Sequence, residues 1–206
     1  MREHAGMGRA DTAGYAMREG SRVGAGGLLR VMAVWMALLP ACGALCSAGS
    51  LQSGEEYHVK ALFLYAFTKF VEWPSDMPGD ALCIGIVGDD PFGDILDQTV
   101  AGKTVNGRGF VVKRFKSDAE ARLCHIVFVG ASETKRMRAV LDALKGSGVL
   151  TVGEARGFAQ AGGVINFEIV DNKVRFEVNI EAAKRARLKL SSKLLSLAKI
   201  VRDASD

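Results

Sequence analysis

Between residues 55 and 72, apolar side chains fall at Val59, Leu62, Phe63, Ala66, Phe67 and Phe70, the i, i+3, i+4 spacing of a helix that buries one face. Ala61, Leu64 and Tyr65 lie off that stripe, and only Lys60, Thr68 and Lys69 keep a narrow polar edge. Such a helix has two faces to cover. The pattern therefore predicts deep burial within the domain or a helix shared with a partner. Pro74 sets its far limit, because the residue before a proline avoids the α region.

After Ala81 the rhythm changes to short apolar runs separated by turn residues. Strands are predicted over 82–87, 110–115, 125–130 and 149–152, with short helices over 92–99, 119–123 and 133–144, the last capped by Ser132. Alternation of nearly continuous apolar strands with helices argues for a mostly parallel sheet flanked by helices on both faces, a Rossmann-like three-layer α/β sandwich. Further on the period becomes two. Ile165, Phe167, Ile169, Val174, Phe176 and Val178 alternate with Asn166, Glu168, Arg175 and Glu177 around Asp171-Asn172, which predicts a C-terminal β-hairpin with one dry face. A helix over 180–186, an extended link at 188–190 and a last helix over 193–202, with Leu194, Leu197 and Val201 inward, complete the reading.

The start of the chain is of another kind. Residues 28–46 form an apolar run broken only by Arg30, preceded by Arg18 and Arg22 and followed by small residues, the layout of a cleaved secretory signal. We place the cleavage after Ala48, which leaves residues 49–206 as one α/β domain, and Met17 as a start of ordinary signal length. Cys42, after Leu39-Pro40-Ala41, leaves a lipoprotein reading as the minor alternative. Export to the periplasm changes the cysteine arithmetic: of four cysteines only Cys83 and Cys124 remain, in an oxidising compartment where they either pair or sit as buried thiols on neighbouring strands.

Residues 49–206 carry 22 basic against 20 acidic residues, a balance without the electrostatic footprint of a nucleic-acid binder. The basic run Lys184, Arg185, Arg187, Lys189 and Lys193 reads as the wet face of a packed helix rather than a membrane-surface helix. Gly85, Gly88 and Gly93 lack the close spacing of a dinucleotide loop. There is no Walker loop or nucleophile elbow, and His58 and His125 offer neither metal spacing nor a clear base, so neither catalysis nor a metal or cofactor is expected. Asp89 and Asp90 stand where α/β sheets place ligands, although a solvated turn capping the next helix accounts for them as well.

The segments YHVKALFLYAFTKFVEWP, LCIGIVGDDPFG, GKTVNGR, CHIVFVGASE, VLTVGEARGFAQAGGVINF, VRFEVNIEAA and LKLSSKLLSLAKIV, in this order from about Glu56 to Arg202, resemble the YfiR family of small periplasmic proteins. The resemblance implies a dimeric, non-catalytic repressor that binds the periplasmic sensor region of a membrane diguanylate cyclase and holds down cyclic di-GMP synthesis. It implies a disulfide between Cys83 and Cys124, while the second cysteine pair of some members is missing from residues 157–167. Small ligands associated with the family suggest a pocket, for which Trp73, Asp89, Asp90 and Arg175 are the candidates here. Leu64, Tyr65 and Trp73 are the candidates for the dimer or partner interface. The alternative function is a periplasmic small-molecule binding module that feeds a different membrane sensor.

Overall fold

The computed structural model describes residues 53–116 and 118–204, so the expected signal segment and its cleavage point lie outside the described residues. Helix α1, Ser53–Phe67, is followed by the two-residue strand β1, Val71–Glu72. Next come β2 (Leu82–Val87), α2 (Asp94–Val100), β3 (Phe110–Phe115), α3 (Asp118–Ala121) and β4 (Ile126–Val129). A 3-10 segment, Ala131–Arg136, leads into α4 (Met137–Leu144) and β5 (Leu150–Gly153). The hairpin β6 (Ile165–Val170) and β7 (Lys173–Asn179) precedes α5 (Ile180–Arg185), β8 (Lys189–Leu190), α6 (Ser192–Ser196) and β9 (Lys199–Val201).

Seven strands form one sheet in the order β3-β2-β4-β5-β6-β7-β9. The first five are mutually parallel, β7 returns antiparallel to β6, and β9 lies parallel to β7. Every residue of β2, β4 and β5 is buried, as expected of parallel strands covered on both faces. One core layer packs α1, α2 and α5 against Ile84, Ile86, Ile126, Phe128, Leu150, Val152, Ile165 and Phe167. The opposite layer packs Val140, Leu141 and Leu144 of α4, with Phe158, against Cys83, Val87, Val127 and Val129. This is the predicted mostly parallel α/β architecture. The hairpin turns at Asp171 and Asn172, both at positive φ (50° and 55°), which short polar side chains tolerate.

Three local expectations are corrected. The first helix stops at Phe67, where the amides of Thr68, Lys69 and Phe70 turn back to Tyr65, Ala66 and Phe67 and the chain becomes β1, pairing antiparallel with β8. The helix over 193–202 ends at Ser196, because residues 199–201 join the edge of the sheet beside β7; Leu197 is consequently 70% exposed, not inward. Ser132 caps no helix: its hydroxyl oxygen accepts the amide of Asp89 instead.

Candidate functional site

The largest surprise lies on α1. Of the expected polar edge Lys69 is exposed, but Lys60 and, just past the helix end, Thr68 are buried, while the open side of α1 carries Val59 and Leu62, 37% and 46% exposed. Lys60 is held by charge. Its Nζ donates to Glu56, one helical turn earlier, and at 2.6 Å to Glu154, which directly follows β5. The Lys60 side chain is only 4% exposed and that of Glu154 only 10%, so the ion group is largely desolvated. The Tyr57 hydroxyl donates to the other Glu154 oxygen at 3.2 Å, and the Lys60 ammonium stands 4.6 Å from the Tyr57 ring centre and 5.9 Å from that of Phe167. Burial first, and then the negative Glu154 and Glu56, push the Tyr57 hydroxyl up to about 12, so it stays a donor at neutral pH.

Beside this group opens a cavity of about 410 Å³, lined among others by Ala131, Arg156, Asn166 and Ile169. It lies at the carboxyl ends of β4 and β5, the end of a parallel sheet where ligands bind. Asn166 fixes its wall: in the orientation that satisfies its neighbours, its amide nitrogen donates to the carbonyls of Ala155 (3.1 Å) and Gly153 (3.2 Å). The neighbouring crevice between the ends of β2 and β4 is shut. A Cβ on Gly130 would meet the Asp89 carbonyl at 2.6 Å, and one on Gly88, at φ 88°, would meet Ser132 Oγ at 2.5 Å. Only glycine permits that closure.

A second polar group sits at the amino end of the sheet. His125, wholly buried, accepts the Trp73 indole N–H on its carbonyl at 2.9 Å, and the two rings meet edge to face. The Cys83 amide donates to its Nδ1 at 3.2 Å, and Arg108 Nη2 lies 2.8 Å from its Nε2. Arg108 also donates to the carbonyls of Gly79 (2.7 Å) and Ala81 (3.3 Å), tying down the segment that enters β2. Burial, and then the Arg108 charge, lower His125 to about 4. Cys83 and Cys124 form a disulfide immediately beside it.

The residues expected to share a pocket are dispersed. Trp73 lies at the amino end of the sheet with His125, whereas Asp89 and Asp90 follow the carboxyl end of β2. Asp90 accepts the Phe92 amide at 2.8 Å and Arg114 Nε at 2.7 Å, the work of a turn. Arg175 lies on β7, opposite Glu168, with β4, β5 and β6 between it and β2. Leu64 is wholly buried in the core and thus offers no surface to a partner, because the helix turns its second face toward α2 and the sheet. Tyr65 is half-buried against Phe110, with the ammoniums of Lys69 and Lys103 over its ring at 4.5 and 4.9 Å. Sequence reasoning missed Lys60, Glu56 and Glu154. The Glu56–Lys60 spacing of four was the available signal, while Glu154 lies 94 positions away. The basic run is largely neutralised: Arg185 pairs with Asp203, Arg187 with Asp76 and Lys184 with Glu181. Among the described residues no group of His, Cys, Asp or Glu could hold a metal ion, and no helix is long and apolar enough to cross a membrane.

Sheet, flanking helices and an end-of-strand cavity place the chain in the class of small α/β modules built around a mostly parallel sheet. The chain belongs to the YfiR/HmsC-like family, whose model matches residues 57–199. Among solved structures it is similar to a conserved domain protein from Vibrio cholerae O1 biovar El Tor, at 10% identity and a TM-score of 0.49, covering 68% of this chain and 59% of that one. It is also similar to an ABC domain in complex with L-Trp from Streptococcus pneumoniae, at 10% identity and a TM-score of 0.49, covering 71% of this chain and 60% of that one. The chain thus spans about three fifths of the length of each of these two structures.

Proposed function

We propose that this protein is a non-catalytic periplasmic regulator that binds the periplasmic sensor region of a membrane diguanylate cyclase and lowers cyclic di-GMP synthesis. The observation that carries this reading is family membership from residue 57 to residue 199, nearly all of the described fold. The disulfide between Cys83 and Cys124 suits an oxidising compartment. The mechanism is differential affinity: the regulator binds the inactive state of the sensor more tightly than the active one and so shifts its population.

The docking face that best suits this role is the open side of α1. Val59 and Leu62 are exposed there, Phe63 packs against Phe167 and Phe176 (centroids 6.0 and 5.5 Å), and Ile169, 45% exposed, continues the apolar surface along β6. In this reading Leu62 takes the place of Leu64, and Tyr65 and Trp73 support the helix and its exit. The same face would serve a homodimer. The test is binding of the purified protein to the isolated periplasmic region of the cyclase, with Leu62→Asp as the comparison. Saturable binding that Leu62→Asp weakens at least tenfold supports both function and face; absence of binding to any cyclase of the host overturns the function. A second reading, a small-molecule module feeding another sensor, is favoured by the cavity at the ends of β4 and β5.

A further inference from the structure

The last segment of the described fold is held by polar bonds rather than by packing. Strand β9 meets β7 along only three residues, Lys199–Val201 against Glu177–Asn179, at the outer edge of the sheet. Its apolar side chains bury little. Ile200 is 47% exposed, Val201 is only partly buried, and Leu197, which leads into the strand, is mostly exposed. An element with so little buried apolar surface opens locally, at a free energy well below that of the whole fold.

Two polar latches hold it closed. Lys199 Nζ donates at 2.7 Å to Glu177, whose side chain is 2% exposed, and Gln160 donates to the other Glu177 oxygen at 3.2 Å. Four residues on, Asp203 accepts Arg185 Nη1 at 2.7 Å, Arg185 Nη2 at 2.9 Å and the amide of the wholly buried Asn179 at 2.7 Å, while the Ala204 backbone amide donates to the Gln160 carbonyl at 2.9 Å. The receiving groups all belong to the preceding fold. When the segment lifts, water reaches Glu177, Asn179 and Arg185 and takes over the same bonds, so the net cost of opening is small. Asp203 and Ala204 also form one wall of a cavity of about 330 Å³, lined on its other sides by Leu141 and Leu144 of α4, Val164, and Ala182 of α5.

We infer that residues 199–204 are a releasable strap, which lifts from β7 as a unit while the rest of the sheet stays folded. Its release uncovers the β7 edge and opens the cavity at α4 and α5. The closed strap thereby shields a sheet edge whose free backbone groups would otherwise accept an extended strand of another chain.

The test is native-state hydrogen exchange of the purified protein at several low urea concentrations. The laddered amides of β9 and the Ala204 amide should exchange faster than those of β4 and β5, through an opening nearly insensitive to urea, whereas β4 and β5 exchange through one that grows steeply with urea. Arg185→Gln, which removes one latch without altering the segment itself, should speed exchange of the β9 amides about fivefold. Lys199→Met, which leaves Glu177 buried without its cation, should speed it at least about tenfold. Exchange free energies and urea slopes for β9 equal to those of β4 and β5, exchange of β9 at the rate of an unstructured chain, or no response to either variant overturns the inference.

Discussion

Part of the acid sensitivity of this protein should come from one buried residue, His125. In the fold its ring is wholly buried, and both nitrogens face donors, the Cys83 amide and the Arg108 guanidinium. A proton added to the ring meets no acceptor and stands against a cation. Burial and Arg108 accordingly lower its titration from 6.5 to about 4. The folded state resists protonation while the unfolded chain accepts it below about 6.5, so this stability is complete above pH 6.5 and is lost as pH falls toward 4. Two and a half units at 1.36 kcal/mol each set a ceiling of about 3 kcal/mol, of which about 1.4 kcal/mol is lost by pH 5.5 and about 2.5 kcal/mol by pH 4.5. The assay is urea unfolding at several pH values, comparing the parent with His125→Gln, whose carboxylate background is the same. The parent should lose about 2.5 kcal/mol more than the variant between pH 7.5 and 4.5. Arg108→Gln should shrink that difference, because the ring then no longer faces a cation. Parallel pH profiles for parent and His125→Gln would refute the reasoning.

Lys60→Met leaves Glu56 and Glu154 facing each other without their cation, which should cost about 3–5 kcal/mol at neutral pH in chemical unfolding. Replacing Cys83 and Cys124 together by serine frees a loop spanning 41 positions in the unfolded chain, a loss of about 4 kcal/mol; an unchanged melting temperature would count against a stabilising disulfide. Leu64→Ala should cost about 2–5 kcal/mol as a core truncation, whereas Leu62→Asp should leave stability within about 0.5 kcal/mol and show its effect in association. Gly163→Ala should destabilise by about 1–3 kcal/mol or more, since its Cβ would stand 2.2 Å from the buried Phe158 ring.

The parts legible in the sequence are those whose cause is local. The buried runs of β2, β4 and β5 and the hairpin at Asp171-Asn172 follow from side-chain period and from residues that accept positive φ. What escaped depends on distant partners. Nothing in Phe70-Val71-Glu72 announces that the chain will leave its helix to pair with residues 189–190. Leu194, Leu197 and Val201 fit a helix by spacing, and only the free edge of β7 makes residues 199–201 a strand. On and just after α1 the reading failed at Lys60 and Thr68, though not at Lys69. Lysine and threonine counted as a wet edge because nothing local shows that Glu154 waits inside for Lys60 or that Thr68 bonds the Tyr65 carbonyl at 2.6 Å. Asp89 and Asp90 were visible as strand-end carboxylates, yet the close approach of Gly130 to the Asp89 carbonyl and of Gly88 to Ser132 closes that crevice, and the open cavity lies at the end of β5.

The measurement that tests the central claim most directly is the cyclic di-GMP content of a strain lacking this gene, beside its parent and a strain complemented with the parent protein or with Leu62→Asp. The account predicts a rise on deletion, a return to the parental level with the parent protein, and no return with Leu62→Asp present at equal abundance. Unchanged cyclic di-GMP in the deletion strain, under growth conditions in which the cyclase is demonstrably active, would contradict it.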